Sequence, residues 1–143
     1  MSQDDLDELV AEGALELVAA DPETARIEFE QARLHVESAA EIADRDPVGA
    51  FTMGYDAIRK AIAAHMRAHG YRTSSRAGHH YRTGRYALAA LDGARIDEHL
   101  EAFDELRDLR NQAEYDALLL ESSDVTEVIA HADAIIRAIE QSL

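Results

Sequence analysis

The segment LRDLRNQAEYD, residues 106–116, holds the densest set of side chains suited to a phosphate ester. Arg107 and Arg110 are three apart and Arg110 and Glu114 four apart, so on a helix they share one side. Asn111 and Tyr115, also four apart, fall on the adjoining strip. A guanidinium presents a planar fork of donors that fits a phosphate, an amide both donates and accepts, and a phenol can donate a proton. Spacing alone favours a plain solvated face with one intrahelical ion pair worth about 0.3–0.5 kcal/mol, since such pairs are common on helices.

A second candidate lies upstream, where Arg72, Arg76, Arg82 and Arg85 alternate with Tyr71, Tyr81 and Tyr86. Cations for a backbone and rings for stacking are what single-stranded nucleic acid favours. His79 and His80 stand at an expected helix start, where free backbone N–H groups accept anions. Arg76, His79, His80, Arg82 and Arg107 are therefore the candidate phosphate contacts. The alternative is intramolecular: these bases neutralise acidic faces of neighbouring helices. The 143 residues carry 29 acids against 14 bases, a net −15, yet residues 55–91 hold 7 bases and 1 acid while residues 1–54 and 92–143 hold 14 acids each. Most of such a surface repels nucleic acid, so any phosphate site must be local.

Other chemistries are excluded or weak. Without Cys there is no thiol nucleophile, zinc–thiolate site or disulfide. His65 and His69 are four apart but have few carboxylates nearby, and His35, His99 and His131 read as isolated, so neither a metal nor another cofactor is expected. No glycine-rich phosphate loop, Ser/His/Asp order or zincin motif is present. No apolar run reaches the roughly 18 residues of a membrane span, and the acidic start Met1–Glu8 lacks the pattern of a signal peptide, so a cytoplasmic protein without membrane contact is expected.

The elements that must position these residues are helical almost throughout, because apolar side chains recur at steps of three and four and good helix formers dominate. The expected fold is an all-α, up-and-down bundle of about five to six helices forming one domain over residues 1–143, with an N-terminal helix over 1–20 and the bundle core over 22–143. Leu6, Leu9, Val10, Gly13 and Leu17 would form the stripe of the first helix. Asp21-Pro22 and Asp46-Pro47 are cap-and-proline start signals. Phe51, Tyr55, Ile58, Ile62 and Met66 make the third helix strongly amphipathic up to Gly70. Residues 70–78 read as a long loop, followed by helices over about 79–91 and 97–120 and a last one capped within Ser122–Asp124.

RNQAEY at Arg110–Tyr115, with an amphipathic helix before it and a capped apolar helix after it, resembles the signature of HEPN domains, the higher eukaryotes and prokaryotes nucleotide-binding family. The resemblance extends to YDAIRKAIAAHMRAHG from Tyr55 and to the GHH helix start at Gly78–His80, and spans roughly Ala25 to Leu143. It implies a bundle that dimerises with its motif helices facing across a cleft and, in many members, metal-independent RNA cleavage. By that resemblance Arg110 binds the phosphate, Asn111 positions the backbone or the partner motif, and Tyr115 occupies the place of the motif His. A phenol titrates near pH 10, against about 6.5 for imidazole, so Tyr115 is a donor and a poor base. The expectation is a toxin component of a toxin–antitoxin or stress system, a homodimer acting on RNA or nucleotide, with a nucleotidyltransferase-type antitoxin as partner. The alternative is a non-catalytic dimer that binds nucleotide or a partner protein.

Overall fold

A computed structural model describes residues 1–74, 78–115 and 120–143, with the backbone alone at residues 79, 80, 104 and 113–115. Among the described residues it is an all-α bundle of six helices with one two-stranded ribbon: α1 (Gln3–Ala11), β1 (Leu15–Leu17), α2 (Pro22–Ile42), α3 (Pro47–His69), β2 (Tyr71–Thr73), α4 (His79–Ala90), α5 (Asp97–Tyr115) and α6 (Ser122–Glu140).

Helix starts follow the expected chemistry. Pro22 and Pro47 open α2 and α3, where a missing N–H costs nothing, and the Asp21 and Asp46 carboxylates accept from Thr24 N at 3.1 Å and Gly49 N at 2.9 Å. At α6 the cap is Glu121, one residue before the expected stretch, with its N–H donating to the Asp124 carboxylate at 2.9 Å.

The N-terminal segment departs from a helix over residues 1–20. Gly13 adopts φ +80°, and Ala14 N donates back to Leu9 O at 2.9 Å, which closes α1. The chain then pairs antiparallel with β2, Leu15 opposite Thr73 and Leu17 opposite Tyr71, so the expected 70–78 loop begins as a strand. Continuing the helix would place Gly13 in its interior at about 1 kcal/mol. The ribbon instead buries Leu15 and sets Glu16 against Arg72 at 2.6 Å, leaving Leu17 69% exposed rather than in the stripe.

The 23-residue α3 is the hub, packed against α2, α4, α5 and α6. Its apolar residues at steps of four, three, four and four are all buried, as the spacing predicts: Phe51, Tyr55, Ile58, Ile62 and Met66. Each contributes about 1.5–3 kcal/mol by leaving water. Leu100, Phe103 and Leu106 of α5 and Val128, Ala132, Ile135 and Ile139 of α6 close the same core from the other side. Gly70 (φ +81°) caps α3, and a Cβ there would come within 2.8 Å of Val18 O, so the turn lets β1 lie directly against the helix end.

Candidate functional site

The side of α3 that faces α5 brings the motif arginines to a buried phenol. Tyr55 is fully buried and stacks on Phe103 of α5, with ring centroids 5.3 Å apart and planes 17° off parallel. The Arg110 guanidinium carbon lies 6.0 Å from the centroid of the Tyr55 ring, a cation–π approach. Burial pushes the Tyr55 hydroxyl up to about 12, against the opposing pull of the Arg110, Arg107 and Arg59 guanidinium groups. The phenol is therefore a neutral donor at physiological pH and no base.

The charges of Arg59, one turn beyond Tyr55 on α3, and of Arg107, three residues before Arg110 on α5, act on the same phenol as Arg110 does, and the Asp56 carboxylate acts on it in the opposite sense. Arg59 meets Asp56 at 3.8 Å and Arg107 meets Asp108 at 3.8 Å, both pairs part-exposed and therefore weak. Arg110 Nε is withdrawn from solvent. Asn111 and Gln112 are exposed. In one chain, then, Arg110 turns to the bundle and Asn111 to the solvent, on adjoining strips of α5. Tyr115 is the last described residue of α5, and its side chain lies outside the description.

The basic middle segment is dispersed. Arg82 lines a hollow of about 240 Å³ with Tyr81, Arg85 and Glu12, apart from the motif arginines. Arg85 and Arg72 each pair within the chain, with Glu12 and Glu16, at 2.6 Å. Tyr86 is fully buried, which corrects its reading as a stacking ring; Tyr71, 7% exposed, keeps only the surface that lines a cleft beside α3, and Tyr81 is 49% exposed. His79 and His80 open α4 as expected, their side chains undescribed, and Arg76 lies outside the described residues.

Tyr86 instead serves His65. Its hydroxyl is 2.7 Å from His65 Nδ1, and His65 Nε2 is 3.1 Å from Ser142 Oγ near the C-terminus. One proton arrangement satisfies all contacts: the phenol donates to Nδ1, Nε2–H donates to Ser142, and Ser142 donates to Ile139 O at 3.2 Å. His65, 1% exposed, is pushed down to about 3 by burial and by its neighbour His69, whose ring stacks on it at 4.1 Å. Sequence reasoning missed a second pair. His99 and His131, read as isolated, meet Nδ1 to Nδ1 at 2.8 Å between α5 and α6. Among the described residues no group of three or more metal-ligating side chains forms.

The residues that sequence reasoning left out of the site are Tyr55 and Arg59. Their signal was present as an aromatic and an Arg four apart on an amphipathic helix, but their meeting with α5 is a tertiary fact. A further cleft of about 640 Å³ opens between the residue 18–21 linker, α3, β2 and α4, and Arg59 lines it as well. No helix among the described residues is long and apolar enough to cross a membrane. Comparison with protein-family models, curated proteins and solved structures finds no match for this chain.

Proposed function

We propose that this chain is a HEPN-like helical protein, the toxin component of a toxin–antitoxin or stress system, that binds RNA and cleaves it without metal across a homodimer. The observation that carries this reading is the approach of Arg110 of α5 to the buried Tyr55 ring, with the charges of Arg107 and of Arg59 of α3 acting on the same phenol. Guanidinium groups on a wall of low dielectric bind a phosphodiester more strongly than they would in water. Arg110 would hold the phosphate. Asn111, which faces solvent on the next strip, would complete a site against the Arg110 of a second copy, so two α5 helices would have to face each other. The RNA 2′-hydroxyl would attack the adjacent phosphorus, forming a 2′,3′-cyclic phosphate as the bond to the 5′-oxygen breaks; Tyr115 would protonate that leaving oxygen, the 2′-hydroxyl proton would pass to water, and water would restore the phenol. A nucleotidyltransferase-type protein is the proposed antitoxin.

A second reading is favoured by one detail. Arg110 Nε is already withdrawn from solvent against Tyr55, which suits a structural cation in a non-catalytic nucleotide- or partner-binding dimer. The two readings separate in one experiment. Purified protein, with mass measured by light scattering, is incubated with single-stranded RNA in EDTA. The toxin reading predicts cleavage that falls at least 100-fold in both Arg110→Ala and Asn111→Ala with the dimer intact, the scale on which losing a positioned catalytic group acts. Binding without cleavage, unchanged in Asn111→Ala, supports the second reading; neither binding nor cleavage contradicts both.

A further inference from the structure

The 640 Å³ cleft beside α3 has the size of a small-molecule site and a divided lining. Ala63, Met66 and Tyr71 form an apolar floor, and Arg59, Arg67 and Arg72 stand around it. One acid, Asp21, joins the lining: hydrogen bonds with Thr24, and after them the charge of Arg67, hold its carboxyl below the usual range as the cap of α2. The wall opposite the floor is pinned, since Val18 N donates to Gly70 O and Asp21 N to Arg67 O, both at 2.9 Å. The cavity is thus formed before any ligand arrives, which lowers the ordering cost of binding.

The three cations are each engaged in the same partial way. Arg67 donates through Nε to Glu28 at 3.0 Å, Arg72 through Nε to Glu16 at 2.6 Å, and Arg59 approaches Asp56 through Nε at 3.8 Å, too far for a hydrogen bond. A guanidinium has five N–H donors, four of them on the terminal nitrogens. Each carboxylate therefore leaves the part of the fork that binds an oxyanion bidentately. These ion pairs are part-exposed and hold the side chains only loosely in energy.

We infer that this cleft binds a small amphipathic anion, a compact apolar body bearing one oxyanion group, with the body over Ala63, Met66 and Tyr71 and the oxyanion on the terminal nitrogens of Arg59, Arg67 and Arg72. Asp21 repels the acid from the α2 end and so fixes which way round the ligand lies. A carboxylate and a phosphate present the same oxygen chemistry to these forks. The site does not rest on the RNA reading, with which it shares Arg59 alone.

The test is a titration of the full-length protein followed by amide NMR shifts. Phenylacetate and phenyl phosphate are the two oxyanion arms, and phenol and inorganic phosphate are the two halves. Saturable shifts at the amides of Val18 to Ala20, Arg72 and Thr73 are expected, with one of the whole ligands at least tenfold tighter than either half; the tighter arm identifies the headgroup. Arg67→Gln, an exposed change that leaves the fold alone, should weaken that ligand at least fivefold, and Ala63→Phe should fill the floor and abolish the shifts. Whole ligands no tighter than inorganic phosphate, shifts confined to α5 around Arg107 and Arg110, or unchanged affinity in Arg67→Gln would each overturn the inference.

Discussion

Tyr55 and Tyr86 are both fully buried phenols in contact with the central helix system, and their surroundings are opposite. Burial raises both hydroxyls above the ordinary phenol range. Tyr86 meets a neutral imidazole, and its network runs outward through Ser142, itself at the surface, to the Ile139 carbonyl. Tyr55 lies beside the Arg110 guanidinium and within the field of Arg59 and Arg107, whose side chains are 32% and 28% exposed, and of Asp56. A buried polar group surrounded by neutral partners holds a fold together. One ringed by part-exposed cations is a place where an anion can be received.

The comparison is broken most severely at the ring that belongs to both core and site. Tyr55→Ala should cost about 3–5 kcal/mol, because it opens a cavity against Phe103 and removes the seat of Arg110. Urea unfolding measures this, and a loss below about 1 kcal/mol would show that the ring is not core.

Acid should next find the neutral region. His65 has a native pKa of about 3 against an ordinary 6.5, so below pH 6.5 the unfolded chain takes up a proton that the native protein refuses. The stabilisation from its neutral state is complete above pH 6.5 and is lost as pH falls toward 3. Between pH 7 and pH 4 this amounts to about 3 kcal/mol, with about one proton bound on unfolding. The change should shrink by that amount in His65→Gln; an unaltered pH profile in that variant would place the titration elsewhere.

Smaller changes sharpen the contrast. Tyr86→Phe leaves His65 Nδ1 without its donor and should cost about 1–3 kcal/mol in thermal or urea unfolding, with no effect on anion binding. Arg110→Gln should cost only about 0.5–1 kcal/mol, the scale of one cation–π contact, while its effect on phosphate binding is large. Equal effects of the two variants on binding would erase the distinction between the regions.

Legibility in the sequence followed the range of the interaction that decides each feature. The rows of α3 and α6 were plain because amphipathic spacing is local, as were the Asp-Pro starts of α2 and α3. The end of α1 was not. Leu17 continues a helical stripe on paper, and only pairing with Tyr71, far along the chain, makes it a strand residue. Tyr71 and Tyr86 looked like available rings because rotation of a helix or strand toward the core depends on what packs against it. The pairing of His99 with His131 depends likewise on how α5 and α6 lie together. In the site, the spacing of Arg107 and Arg110 is visible, whereas the approach of Arg110 to Tyr55 requires the packing of α5 on α3.

The central claim, that the three arginines around Tyr55 form the phosphate site, is tested most directly by fluorescence anisotropy with a short single-stranded RNA across a salt series. Wild-type protein should bind with a shallow salt dependence, about two or three counterions' worth, because so few cations are gathered there. Arg110→Ala should weaken binding at least tenfold while its melting temperature stays within a few degrees of wild type. RNA binding of equal strength in wild type and in a folded Arg110→Ala variant would contradict the account.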